Sequence, residues 1–93
     1  METFKLTGTG GEPHAQDNSI SFQAGKDDYI ILPLIPLEGE VCLSTTYVYY
    51  KDEPLAVINV SYVEYLGKEV IYFSNKYKKE FKFKLKSEKI KFS

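Results

Sequence analysis

Ninety-three residues, 43% of them apolar, carry a net charge of only −1, with eight Tyr, six Phe, no Trp and a single Cys. A chain this short makes one domain and leaves little room for a deep catalytic cavity beside a hydrophobic core. Its apolar content separates it from disordered chains, and the lone Cys42 excludes an internal disulfide.

The pattern along the chain is one of strands. Phe4 and Leu6 alternate with Lys5 and Thr7, giving a short first strand. Gly8-Thr9-Gly10-Gly11-Glu12-Pro13 breaks regular structure, and the polar run to Asn18 extends the loop. Ile20 and Phe22 mark a second strand, closed by Ala24-Gly25-Lys26-Asp27-Asp28. Tyr29 to Leu34 is nearly all apolar, as in a strand buried on both faces, with Pro33 limiting its pairing to an edge or a strand end. Val41 to Tyr50 and Leu55 to Tyr65 are the long strands, joined by a turn at Lys51-Asp52-Glu53-Pro54. Leu66-Gly67-Lys68 supplies the next turn, with Gly67 free to take a positive φ. Glu69 to Ser74 completes a meander, and Asn75 to Lys78 turns the chain again. Phe81, Phe83 and Leu85 then alternate with Lys82, Lys84 and Lys86, and Ile90 and Phe92 with Lys89 and Lys91. Apolar parity changes across Ser87-Glu88, which calls for a bulge or a two-residue hairpin turn there.

About seven strands at such spacing predict an all-β domain over residues 1–93, a small antiparallel β-sandwich, with a five-stranded barrel of the oligonucleotide-binding type as the alternative. A chain of this size without disulfides suits a reducing compartment. Residues 1–20 show no basic segment followed by an apolar run, and Tyr29 to Leu37, the longest mostly apolar stretch, is too short to cross a bilayer. A cytoplasmic location is therefore expected. Asn59-Val60-Ser61 has the form of a glycosylation sequon, but it lies in a predicted strand, where chance accounts for it.

Little in the sequence carries catalysis. His14 sits in a polar loop, and no spacing ties it to Cys42 as a nucleophilic dyad. One His and one Cys do not make a structural zinc set. Gly8-Thr9-Gly10-Gly11 follows a strand, as a phosphate-binding turn does, but no helix follows to hold a pyrophosphate. Asp27-Asp28 and Asp52-Glu53 fall at turns, which acidic residues favour for their own hydrogen bonds. No enzyme activity, cofactor or metal is expected. Tyr47, Tyr49, Tyr50, Tyr62, Tyr65 and Tyr72 fall on three successive predicted strands, where they either pack across the sheet or offer a stacking platform.

Charge separation is the sharpest feature. Residues 1–75 hold four Lys against eleven Asp or Glu, a balance of −7, whereas residues 76–93 hold eight Lys against two Glu, a balance of +6. There is no Arg. Such lysines protect a sheet edge from pairing with other chains, dock an acidic protein surface or the acidic part of another copy, or contact a phosphate backbone. The missing Arg disfavours base readout, and the acidic remainder repels a long polyanion. The functional expectation is a non-catalytic interaction or self-assembly domain. Its partner-binding residues are Lys76, Tyr77, Lys78, Lys79, Lys82, Lys84, Lys86, Lys89 and Lys91. Non-specific single-stranded nucleic-acid binding is the alternative.

Overall fold

The computed structural model describes residues 2–7, 14–17, 20–36 and 38–93, and of 14–17 the backbone alone. Strands follow one another as β1 (Thr3–Thr7), β2 (His14–Asp17), β3 (Ile20–Ala24), β4 (Tyr29–Pro33), β5 (Val41–Tyr50), β6 (Glu53–Tyr62), β7 (Glu69–Ser74), β8 (Lys79–Lys84) and β9 (Lys89–Phe92), with one 3-10 turn at Val63–Tyr65. They build two sheets, a four-stranded one in the order β1-β4-β7-β8 and a five-stranded one in the order β2-β3-β6-β5-β9. This is the expected sandwich.

Period-two alternation places the core between the sheets. Leu6, Ile30, Leu32, Val70, Tyr72, Phe81 and Phe83 face inward from the first sheet, and Ile20, Phe22, Val48, Ile58 and Val60 from the second. Burying each large apolar side chain contributes about 1.5–3 kcal/mol. Phe22 meets the Tyr72 ring edge-on across the core, with centroids 5.9 Å apart.

Turn chemistry sets the register. Lys51 and Asp52 both take positive φ, 50° and 66°, as a two-residue hairpin turn requires if its twist is to match the strands. Pro54 lies inside β6 rather than in the turn, opposite Tyr49 at a register shift, where its missing N–H costs no ladder bond. Gly67 adopts φ 80° as expected.

Two expectations are corrected. The polar segment taken as loop contains β2, which pairs antiparallel with β3, His14 opposite Phe22. Residues 8–13, 18 and 19, the rest of that segment, lie outside the described residues. At Ser87-Glu88 there is neither bulge nor hairpin. The chain leaves one sheet after β8 and joins the other as β9, parallel to β5, with Tyr47 opposite Lys89 and Tyr50 opposite Phe92. Parity changes because the inner face of one sheet becomes the facing inner face of the other. The crossing is fastened to β5 by side chains: the Thr46 hydroxyl donates to Lys86 O at 2.6 Å and accepts from Lys86 N at 3.2 Å. Ser44 Oγ lies 3.2 Å from Ser87 Oγ, and Tyr47 N donates to Glu88 O. Phe92 then closes this side of the sandwich against Phe81 and Phe83.

Candidate docking surface

The crossover decides where the lysines go. Since β8 and β9 belong to different sheets, their outward side chains leave opposite faces of the sandwich. Lys82 and Lys84 project from the four-stranded sheet, and Lys89 and Lys91 from the five-stranded one, while the residues between them point inward. Lys79 caps the end of the core, its ammonium 4.9 Å from the Tyr50 ring centroid and 5.5 Å from that of Phe81. Lys76 pairs with Glu53 at 2.7 Å, and Lys78, at φ 52° in the turn, donates to Asn75 Oδ1. Lys86 approaches Glu88 at 3.8 Å. Tyr77 is half-buried, its hydroxyl donating to Glu53 Oε1 and its ring packed edge-on against Tyr50 at 4.8 Å. The nine residues singled out from sequence therefore form two outward rows, an edge crossing and a turn, not one face.

On the outer face of the four-stranded sheet the strand registers align three rows. Thr7, Tyr29, Phe73 and Glu80 form one, and Lys5, Ile31, Ile71 and Lys82 the next. Pro33 follows Thr3, and Glu69 faces Lys84. Tyr29 and Phe73 stack at 4.9 Å with 13° between planes, and the Lys5 ammonium sits 3.9 Å over the Tyr29 ring. Tyr29, Ile31, Ile71 and Phe73 are half-buried, so β4 is not covered on both sides as its composition suggests. At the lower end a groove of about 320 Å³ runs between Ile31, Pro33, Leu34, Ile35 and Ile71, with Lys68 and Glu69 both on its lining. The result is an apolar stripe between Lys5 and Lys82, with Lys68 and Lys84 beside the groove. Among the described residues, none of these four lysines is in an ion pair. Sequence reading missed Lys5, Lys68 and the stripe. The strict apolar run in β4 was the available signal, but runs do not separate a covered face from an uncovered one.

The five-stranded sheet presents a different outer face. Tyr47 and Tyr49 stand beside Lys89 and Lys91. A polar ladder crosses it, Thr45 Oγ1 donating to Asn59 Oδ1 at 2.7 Å and Asn59 Nδ2 to Ser21 Oγ at 3.5 Å. No six-ring tyrosine platform exists, because Tyr50, Tyr65 and Tyr72 are core residues.

A second concavity, about 630 Å³, opens at one end of the sandwich between the β3–β4 turn, the start of β6 and the β7–β8 turn. Its acidic groups are committed to structure. Asp28 is buried and accepts from Gly25 N at 3.0 Å, Asn75 N at 2.7 Å and the Tyr72 hydroxyl at 2.5 Å. Burial and then the bond to Asp28 push the Tyr72 phenol far above its ordinary value. Hydrogen bonds from Lys76 and Tyr77 hold the Glu53 carboxyl below the usual range, and the Glu53 carboxylate in turn raises Lys76 and Tyr77. His14 lies on β2 and Cys42 on β5, three strand spacings apart, about 14 Å, too far for a dyad.

No family model matches this chain, and no curated protein or solved structure is significantly similar to it. Among the described residues, no helix is long and apolar enough to cross a membrane.

Proposed function

We propose that this protein is a non-catalytic interaction domain that docks an acidic protein surface on the outer face of its four-stranded sheet. The supporting observation is the row Lys5–Ile31–Ile71–Lys82, in which two lysines flank two half-buried isoleucines on the solvent side of a sheet. Lysines alone do not hold a complex: each exposed pair contributes about 0–1 kcal/mol, and at about 0.15 M salt charges act over roughly 8 Å. Here the apolar stripe supplies the remainder, with Ile31, Ile71, Tyr29 and Phe73 available to a partner's side chains. Four strands at about 4.8 Å spacing and five or six residues at about 3.3 Å give a face of roughly 15 by 20 Å, suited to transient rather than permanent contact. The lysines of the β8 and β9 edges also keep those edges from pairing with other chains. An unpaired, half-buried Cys42 fits a reducing compartment, and we place the protein in the cytoplasm.

A second reading assigns single-stranded nucleic acid to the other face, favoured by the register that sets Tyr47 and Tyr49 beside Lys89 and Lys91. Fluorescence anisotropy separates the two. A labelled peptide in which Glu and Leu alternate should bind at about 0.15 M salt, and a labelled oligothymidylate should not. Lys82→Glu with Lys84→Glu should abolish peptide binding, and Lys89→Glu with Lys91→Glu should spare it. Oligothymidylate binding that is lost only in the Lys89/Lys91 variant would replace the first reading with the second.

A further inference from the structure

The most exposed large apolar side chains among the described residues lie together at the start of β5. Leu43 is 81% exposed and Val41 71%, with Val63 at 37%. A bulge causes this. Val41 pairs with Tyr62 and Ser44 with Val60, so Cys42 and Leu43 share one position opposite Ser61 and the strand kinks outward. Beyond the bulge β9 no longer covers β5, since its pairing begins at Tyr47. Carboxylates surround the spot. Glu38 and Glu40 are exposed in the approach to β5, and Glu40 O accepts from Val63 N. Glu64 lies under Gly39, where φ is 106° and a Cβ would come within 2.8 Å of Glu64 Oε2. Its other oxygen, Oε1, is buried and has no hydrogen-bond partner among the described residues. None of the three is in an ion pair among those residues. An exposed apolar spot with a polar rim is the form of a contact surface.

From this end of the molecule we infer the partner: a second copy of the chain, whose lysine-flanked sheet face receives the Val41–Leu43 bulge of the first. The inference rests on the docking face proposed above and names what docks there. Charge complementarity selects the occupant. Among the described residues the bulge offers apolar side chains with three carboxylates in no ion pair, and the receiving face offers an apolar groove with Lys5, Lys68, Lys82 and Lys84, which outnumber the Glu69 and Glu80 that share it. Leu43 enters the groove between Ile31 and Ile71, and the lysines of that face meet the exposed carboxylates of Glu38 and Glu40. The bulge belongs to the five-stranded sheet and the groove to the four-stranded one; a reciprocal pair of these contacts closes a two-fold dimer, whereas a single one is heterologous. The heterologous contact closes into a ring or extends into short head-to-tail chains.

Sedimentation velocity on the full chain tests this. The sedimentation coefficient of the wild type should rise with concentration at low salt, and rise less at about 0.15 M salt. Leu43→Asn, Glu38→Lys with Glu40→Lys, and Lys82→Glu with Lys84→Glu should each weaken association roughly tenfold or more. All of these side chains are solvent-exposed, and circular dichroism should show an unchanged fold. The decisive sample is an equal mixture of the two charge-reversed variants. Each repels itself, but the reversed bulge of one meets the reversed face of the other, and association should return. A wild type that stays monomeric up to about 1 mM at low salt overturns the inference, as does a mixture that stays monomeric. If the monomeric wild type still binds the Glu-Leu peptide, the docking face stands and only the second copy as its partner is lost.

Discussion

Tyr72→Phe removes one hydroxyl from the core, with its short bond to Asp28 Oδ2 and a longer one of 3.5 Å to Leu55 O. The ring stays, so its contacts with Phe22 and with Phe81, at 6.1 Å, are kept. What is removed is the hydroxyl that donates to Asp28 Oδ2 at 2.5 Å. A hydrogen bond to a charged group contributes about 1.5–3 kcal/mol. Asp28 keeps one backbone donor on each oxygen, Gly25 N on Oδ2 and Asn75 N on Oδ1, so neither oxygen becomes wholly unsatisfied. The expected cost is therefore about 2 kcal/mol, in the middle of that range. For a domain of this size it lowers the melting temperature by roughly 8–16 °C. Urea unfolding followed by circular dichroism measures it. The pH dependence gives a second readout. Folding raises the Tyr72 pKa, so the protonated phenol is favoured in the folded state. Its contribution is complete below the unfolded value of about 10 and is lost as pH rises above it. The gap between wild type and Tyr72→Phe should hold constant from pH 6 to 9 and close above about pH 10. A variant within about 0.5 kcal/mol of wild type would refute the view that this bond secures the buried carboxylate.

Thr46→Val keeps shape but strips both side-chain bonds from Lys86; Lys86 O still accepts from Glu88 N at 2.7 Å, so only the Lys86 N–H is left unpaired at the crossing, and the change should cost about 1–2 kcal/mol, read by urea unfolding, with faster hydrogen exchange at Lys86 and along β9. Lys51→Asn together with Asp52→Gly should stabilise the β5–β6 hairpin by about 1 kcal/mol in the same assay, since both positions hold positive φ that the present residues adopt at a cost. Glu53→Gln should lower the thermal midpoint at neutral pH and low salt. Because folding depresses the Glu53 pKa, that difference should shrink as pH falls below the ordinary carboxylate value of 4.5, and a difference that grows instead would contradict the assignment.

The sequence alone determined the all-β class and every strand but β2, and it favoured the sandwich over a barrel. Alternation at period two marks which side chains are inward within each strand, and Phe81, Phe83 and Leu85 opposite Lys82, Lys84 and Lys86 show it most plainly. Gly67 was legible as a turn because backbone chirality restricts what a tight turn accepts, whereas the turn read over Lys51-Asp52-Glu53-Pro54 narrows in the structure to Lys51 and Asp52. β2 was hidden because His14–Asp17 carries almost no apolar signal, being recruited by an edge of β3 rather than by a core of its own. The docking face was only half legible. A parity change at Ser87-Glu88 says that the inward face switches, but not whether the chain folds back in its own sheet or crosses to the other. Tertiary packing decided that, through Thr46 and Ser44 on β5, some forty residues away in sequence. With that crossing, one run of lysines became two rows on opposite faces. Lys5 and Lys68 could join Lys82 and Lys84 only once strand order had set β1, β4, β7 and β8 side by side. Periodicity is a local property of the chain, whereas which distant strands become neighbours is settled by how two sheets bury a shared core.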